Sequence, residues 1–145
     1  MALYTLDELV AYQLSLELKK RVFDLIYNSP ACKDLKFAGQ VTGAASSLPS
    51  DVAEGFYRFN PAEFAQFVKY ARSSLQEVRV RLPDGIAKRY YAQADIAEIL
   101  LLIDRLSKVL GGLYFSLRKQ ADAKRRKPGD PKPPRPPKPR PHRPR

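Results

Sequence analysis

The sequence predicts an all-α domain, a bundle of four helices over residues 1–120, followed by a disordered, basic, proline-rich tail over residues 121–145. Three observations point there. Apolar residues recur at alternating steps of three and four in successive segments, the period of a helix that buries one face. Capping and turn residues punctuate those segments. Composition then changes abruptly: from Ala121 onward the chain holds ten of its 26 Lys and Arg and nine of its 13 prolines, opposed only by Asp122 and Asp130. The net charge of +11 thus divides into +8 in the tail and +3 in the residues before it. Beyond Leu117 no apolar side chain exceeds alanine apart from the prolines, so burial cannot offset the entropy of ordering, and the tail is expected to be extended with polyproline II character. A length of 145 residues suffices for one domain with a core of its own.

The first helix is expected to open at the capping box Thr5-Leu6-Asp7-Glu8 and to close at Asn28-Ser29-Pro30, where proline stops the pattern. Its stripe is Leu9, Tyr12, Leu16, Phe23 and Ile26, interrupted by Lys19 and widened by Leu14, Leu18, Val22 and Leu25. The second runs from about Leu35 to Gly55 and passes through Pro49. Phe37, Val41, Ala44, Leu48, Val52 and Gly55 keep one phase across that proline, and a fresh start there would make leucine the N-cap, a poor one. A bent, continuous helix is therefore expected, with the Ser46, Ser47 or Ser50 hydroxyls compensating for the lost amide. Gly39 and Gly43 make it slim enough for close helix contact.

A third helix opens at Asn60 as N-cap with Pro61 at its first position and Glu63 completing the box, and buries Phe64, Val68, Ala71, Leu75, Val78 and Leu82. Pro83-Asp84-Gly85 reads as a turn that ends it, and Ile86 to Tyr91 as a short helical turn. The fourth helix follows a cap at Asp95 and Glu98. Ile96, Ile99, Ile103, Leu106, Leu110, Leu113 and Leu117 form a bundle seam, and Gly111-Gly112 inside it suggests close approach by another backbone.

Several chemistries are disfavoured by residue supply. One cysteine, Cys32, forms no internal disulfide, and one histidine, His142, sits in the tail, so metal cages and Cys/His catalysis are not expected. No cofactor is expected either. The longest apolar run, Ile99 to Ile103, is far short of a membrane span, and the N-terminus lacks the features of a secretory signal, so no membrane partner and a cytoplasmic location are expected. Glu54 beside Gly55 has no partner suited to general base work. It stands four residues before Arg58, the favourable order for an ion pair, and off the apolar stripe.

With these residues in view, SSLPSDVAEGFYR resembles the signature of the bacterial four-helix-bundle family related to the large-subunit rRNA intervening-sequence proteins. The resemblance extends through LDELVAYQLSLELKKRVFDLIY, FAGQVTGAASSLPSDVAEG, NPAEFAQFVKYARSSLQE and LIDRLSKVLGGLYFSLRK, nearly all of residues 5–120. That family includes the accessory variability proteins of diversity-generating retroelements, which bind nucleic acid and partner a reverse transcriptase. The resemblance implies an up-and-down four-helix bundle assembled as a ring-like homopentamer, with Pro49, Ser50, Glu54, Gly55 and Arg58 as its structural motif. The Leu82-Pro83-Asp84-Gly85 stretch and the long tail depart from the family pattern.

The basic residues are the functional candidates, because a polyanion neutralises clustered cations together. In the tail they are Lys124, Arg125, Arg126, Lys127, Lys132, Arg135, Lys138, Arg140, Arg143 and Arg145; just before it stand Arg118 and Lys119. Lys69, Arg72, Arg79 and Arg81 are expected to make a second basic surface on the third helix. Lys88 and Arg89 lie beside Tyr90 and Tyr91, a pattern suited to stacking on exposed bases. The plainer reading makes those aromatics core or interface residues and the tail a solubilising appendage, and Pro131, Pro134 and Pro137 also have the spacing of ligands for polyproline-reading grooves. The expected function is that of a non-enzymatic adaptor that binds RNA or DNA and docks a reverse transcriptase. The alternative is an intervening-sequence-type interaction module with no nucleic-acid task.

Overall fold

The computed structural model describes residues 5, 6, 9–125, 129, 131, 134 and 135. Four helices account for most of them: α1 (Val10–Tyr27), α2 (Leu35–Phe56), α3 (Pro61–Ala87) and α4 (Gln93–Arg125), with a short 3-10 turn at Pro30–Lys33 between α1 and α2. No strand occurs among the described residues. Each helix packs on its sequence neighbours and α4 returns against α1, so the four enclose one core. Val22, Val41, Leu48, Val52, Val68, Leu82, Ile103 and Leu106 lie fully inside it.

The second helix runs through Pro49 without a stop. Its whole stripe, Phe37 to Gly55, is buried as its phase requires. Asp34 caps it, the carboxylate accepting from the Phe37 amide at 3.1 Å. Among the three serines, Ser47 Oγ donates back to the Gly43 carbonyl at 3.0 Å. Gly55 has a packing reason: a Cβ there would lie 2.7 Å from Phe67 Cβ and 2.9 Å from Phe64 Cδ1, so α3 can approach only because that side chain is missing.

The third helix departs from expectation. Pro83-Asp84-Gly85 is not a turn; α3 continues through Pro83 to Ala87. Leu75, Val78, Leu82 and Gly85 are all buried and keep the helical phase across this proline as α2 does across its own. Gly85 forms a notch that the Tyr91 phenol fills, and the Tyr91 hydroxyl donates to the Leu82 carbonyl at 2.6 Å. The helix then ends in a Schellman motif, with the Tyr90 amide donating to the Gly85 carbonyl and the Arg89 amide to that of Ile86, both at 2.9 Å. Arg89 takes the left-handed position (φ 62°) usually held by glycine.

The other boundaries shift too. α1 begins at Val10, with Leu9 at the N-cap and no side-chain cap; Asp7 and Glu8 of the expected box lie outside the described residues. Its buried face is Ala11, Leu14, Ser15, Leu18, Val22 and Ile26, so the widening residues form the centre and Leu16 is exposed. Ser15 is accommodated by donating to the Ala11 carbonyl at 2.6 Å. α4 opens earlier than expected, at Gln93, because Asp95 reaches back and accepts from the Ala92 amide at 2.7 Å. It also runs past residue 120 to Arg125, with Ala121 buried. A Cβ at Gly39, Gly43, Gly111 or Gly112 would meet no atom within 4 Å among the described residues, so the close approaches expected there do not occur among these residues of one copy.

Candidate nucleic-acid interface

The burial of Val68, Ala71, Leu75 and Val78 turns the flank of α3 carrying Lys69, Arg72, Gln76 and Arg79 toward α4. There these residues, with Ser73 and Ser107, line an open groove of about 660 Å³. Arg79 donates to Asp104 at 2.6 Å, and the Arg72 guanidinium lies 5.6 Å from the centre of the Tyr114 ring. Arg81 does not share this surface. It turns to the α2 side, where it meets Glu77 and Gln40, each at 3.0 Å. The four cations of α3 therefore split three to one.

Lys88 and Tyr90 belong to the structure of the α3–α4 corner. Asp34 accepts from Tyr90 Oη and, at 3.2 Å, from Lys88 Nζ, while Lys88 also sits 5.3 Å from the centre of the Phe37 ring. The hydrogen bond from Tyr90, then that from the Phe37 amide, holds the Asp34 carboxyl below its usual range, and the same bond raises the Tyr90 phenol. Tyr91 is buried, and burial pushes its phenol up to about 12. The expected stacking role for this aromatic pair does not fit these placements: one ring is enclosed and the other's hydroxyl is engaged. Arg89 is exposed beside them.

Further along α4, Arg118 lies 3.8 Å from Asp122 and Lys119 sits 4.5 Å from the Phe115 ring centre. Lys124 and Arg125 occupy the last turn, where cations complement the helix dipole. Arg135 is exposed. Arg126, Lys127, Lys132, Lys138, Arg140, Arg143 and Arg145, with His142, lie outside the described residues. Exposed ion pairs such as Arg79–Asp104 contribute about 0–1 kcal/mol each, so a phosphate can compete for these guanidinium groups.

The motif around Pro49 behaves as scaffold. Arg58 donates to Glu54 at 3.2 Å and lies 5.1 Å from the centre of the Phe67 ring, which ties the end of α2 to α3. Asp51, half-buried one turn before, is raised by desolvation and then by the charge of Glu54. Ser50 is exposed and Pro49 buried.

Sequence reasoning missed Tyr57 and Phe59, which stand 59% and 80% exposed on the α2–α3 corner. The available signal was the run Phe56-Tyr57-Arg58-Phe59, three aromatics placed after the glycine that ends the buried stripe, where no face remains to hide all of them.

A family model described as 23S rRNA-intervening sequence protein matches residues 7–112. The chain belongs to that family. A comparison with curated proteins gave no match. The matched region spans α1, α2, α3 and the first part of α4 and takes in the α3–α4 groove. It stops before Phe115, Arg118, Lys119, Lys124 and Arg125, so the basic end of α4 is an addition to what the family match covers. Among the described residues no helix is long and apolar enough to cross a membrane.

Proposed function

We propose that this member of the family is a non-enzymatic, cytoplasmic scaffold that binds nucleic acid through the α3–α4 groove and the basic end of α4 with the tail beyond it. The observation that carries the reading is the placement of charge: Lys69, Arg72 and Arg79 along one open groove, on a helix pair whose C-terminal end carries Lys124 and Arg125 and leads into eight further cations. A phosphate backbone is the simplest ligand for such a stripe. Copies assembled as a ring of five would carry +55 in total and would concentrate nucleic acid with little sequence preference. Docking of a reverse transcriptase, as in the accessory variability proteins, completes this reading.

The test is fluorescence polarisation with a labelled RNA or DNA across salt concentrations, using the full chain and a chain ending at Arg125. The expected result is affinity that falls steeply with salt, with a log–log slope that shrinks by about 0.7–0.9 for each phosphate that the shortened chain no longer neutralises. Salt-insensitive binding that survives truncation unchanged would point away from this mechanism. The second reading, a protein-interaction module with no nucleic-acid task, is favoured by the apolar exposure of Leu101, Phe115, Val80 and Tyr27. Copurification of the native complex separates the two: recovery of a reverse transcriptase with its template RNA supports the first, protein alone the second.

A further inference from the structure

The α2–α3 corner is built differently from an ordinary helix entry. The residue before an N-cap commonly folds over the fourth residue of the helix as a hydrophobic staple. Here Asn60 is the N-cap, accepting from the Ala62 and Glu63 amides at 2.9 and 3.1 Å, and the residues in question are Phe59 and Phe64. Phe56 takes the staple's place, its ring meeting Phe64 edge-on with centroids 6.2 Å apart. Phe59 is held in the left-handed region, at φ 52°, a conformation disfavoured for a residue with a side chain. It projects into solvent with Tyr57, their rings 6.4 Å apart and 5.3–6.4 Å from Phe56. The cluster is braced from behind and open in front.

The helix register supplies its electrostatic setting. Arg79–Asp104 and Arg72–Tyr114 align α3 and α4 antiparallel. Eleven residues back from Arg72 is Pro61, the start of α3, and eleven on from Tyr114 is Arg125, the end of α4. Lys124 and Arg125 therefore end level with the corner that carries Tyr57 and Phe59. Of the carboxylates toward this end, Glu54 is paired with Arg58 and Asp122 lies 3.8 Å from Arg118, while Glu63 stands exposed in the first turn of α3. Solvent-facing rings and a cationic helix end at the same level of the bundle are the two parts a single-stranded nucleic acid needs, a stacking surface for its bases and charge for its backbone.

We infer that the Tyr57–Phe59 corner is a base-stacking platform for single-stranded nucleic acid, with Lys124 and Arg125 holding the phosphates. This deepens the proposed nucleic-acid reading and rests on it. It predicts a preference for single strands over duplexes, because stacked bases in a duplex offer no free face to the two rings.

The experiment uses the full chain and three labelled probes: a single-stranded oligonucleotide, an abasic strand of the same length, and the corresponding duplex. Tyr57→Ala/Phe59→Ala should weaken binding of the intact single strand about tenfold or more and leave the abasic strand and the duplex unchanged. Both rings are exposed, so an unaltered thermal transition is expected of the double variant. As a second measurement, Phe59→Trp introduces the chain's first tryptophan, and its emission should be quenched by the intact strand and not by the abasic one. Salt-sensitive binding that is equal for intact and abasic strands overturns the platform and leaves the proposed function standing. Absence of binding to all three probes overturns both. Indole emission that changes on dilution without nucleic acid, and then ignores the strand, assigns the corner to a second copy of the chain and overturns the platform as well.

Discussion

The α2–α3 and α3–α4 corners are made of the same materials and put them to opposite uses. Each follows a helix that passes through an internal proline and has a buried glycine near its end, and each sets aromatics beside cations. At the α3–α4 corner the rings turn inward: Tyr91 fills the Gly85 notch and bonds to the Leu82 carbonyl, and Tyr90 bonds to Asp34. At the α2–α3 corner, Gly55 admits α3 itself, against Phe64 and Phe67. With that notch occupied, Tyr57 and Phe59 are left outside. What fills the glycine notch therefore decides whether the aromatics that follow are structural or available.

Filling either notch is expected to have the largest effect. Gly55→Ala and Gly85→Ala should each destabilise the bundle by about 2–3 kcal/mol through overpacking, measured by chemical denaturation. Alanine at Gly39 or Gly111, where a Cβ meets nothing, should instead raise stability by about 0.5–1 kcal/mol. A loss at those open sites would mean that another copy packs against them.

Removing single hydroxyls separates the corners at a smaller scale. Tyr91→Phe strips the donor from the Leu82 carbonyl and should cost about 1 kcal/mol, whereas Tyr57→Phe should change stability by less than about 0.5 kcal/mol. The Tyr91 substitution also carries a pH signature. Its phenol is raised to about 12 in the folded protein, so the stabilisation it gives is complete below the ordinary tyrosine range near 10 and is lost as pH climbs through 12. Wild type should lose more stability than Tyr91→Phe between pH 10 and 12. The last substitution sharpens the backbone comparison: Arg89→Gly, at a left-handed Schellman position, should stabilise by about 1 kcal/mol while leaving the Tyr90–Asp34 bond in place.

Much of this architecture was legible in the sequence. The phase of Phe37 through Gly55 announced a helix that ignores Pro49. The same signal existed at Pro83, since Leu75, Val78, Leu82 and Gly85 keep step across it, but the turn chemistry of Pro-Asp-Gly outweighed the period. It should not have, because a buried stripe is worth more to a helix than a single missing amide. The start of α1 was less legible: local capping residues suggested Thr5, and the helix begins at Val10 with no side-chain cap at Leu9, while Asp7 and Glu8 of the expected box lie outside the described residues. In the candidate site, Lys69, Arg72 and Arg79 line one groove, while Arg81 reaches Gln40 of α2, a contact that spacing along one helix does not reveal. Of the aromatic pair chosen from sequence, Tyr91 is buried and Tyr90 is half-buried with its hydroxyl bonded to Asp34. Aromatic residues next to cations look alike in a string of letters, and only the notch in front of them distinguishes a core ring from a free one.

The most direct test of the comparison is photochemical cross-linking of a bound single-stranded oligonucleotide to the full chain, with the attached residues identified by mass spectrometry. Cross-links at Tyr57 and Phe59, with none at Tyr90 or Tyr91, are the predicted result. Attachment at the Tyr90–Tyr91 corner, or cross-linking that leaves Tyr57 and Phe59 unmodified, would contradict it.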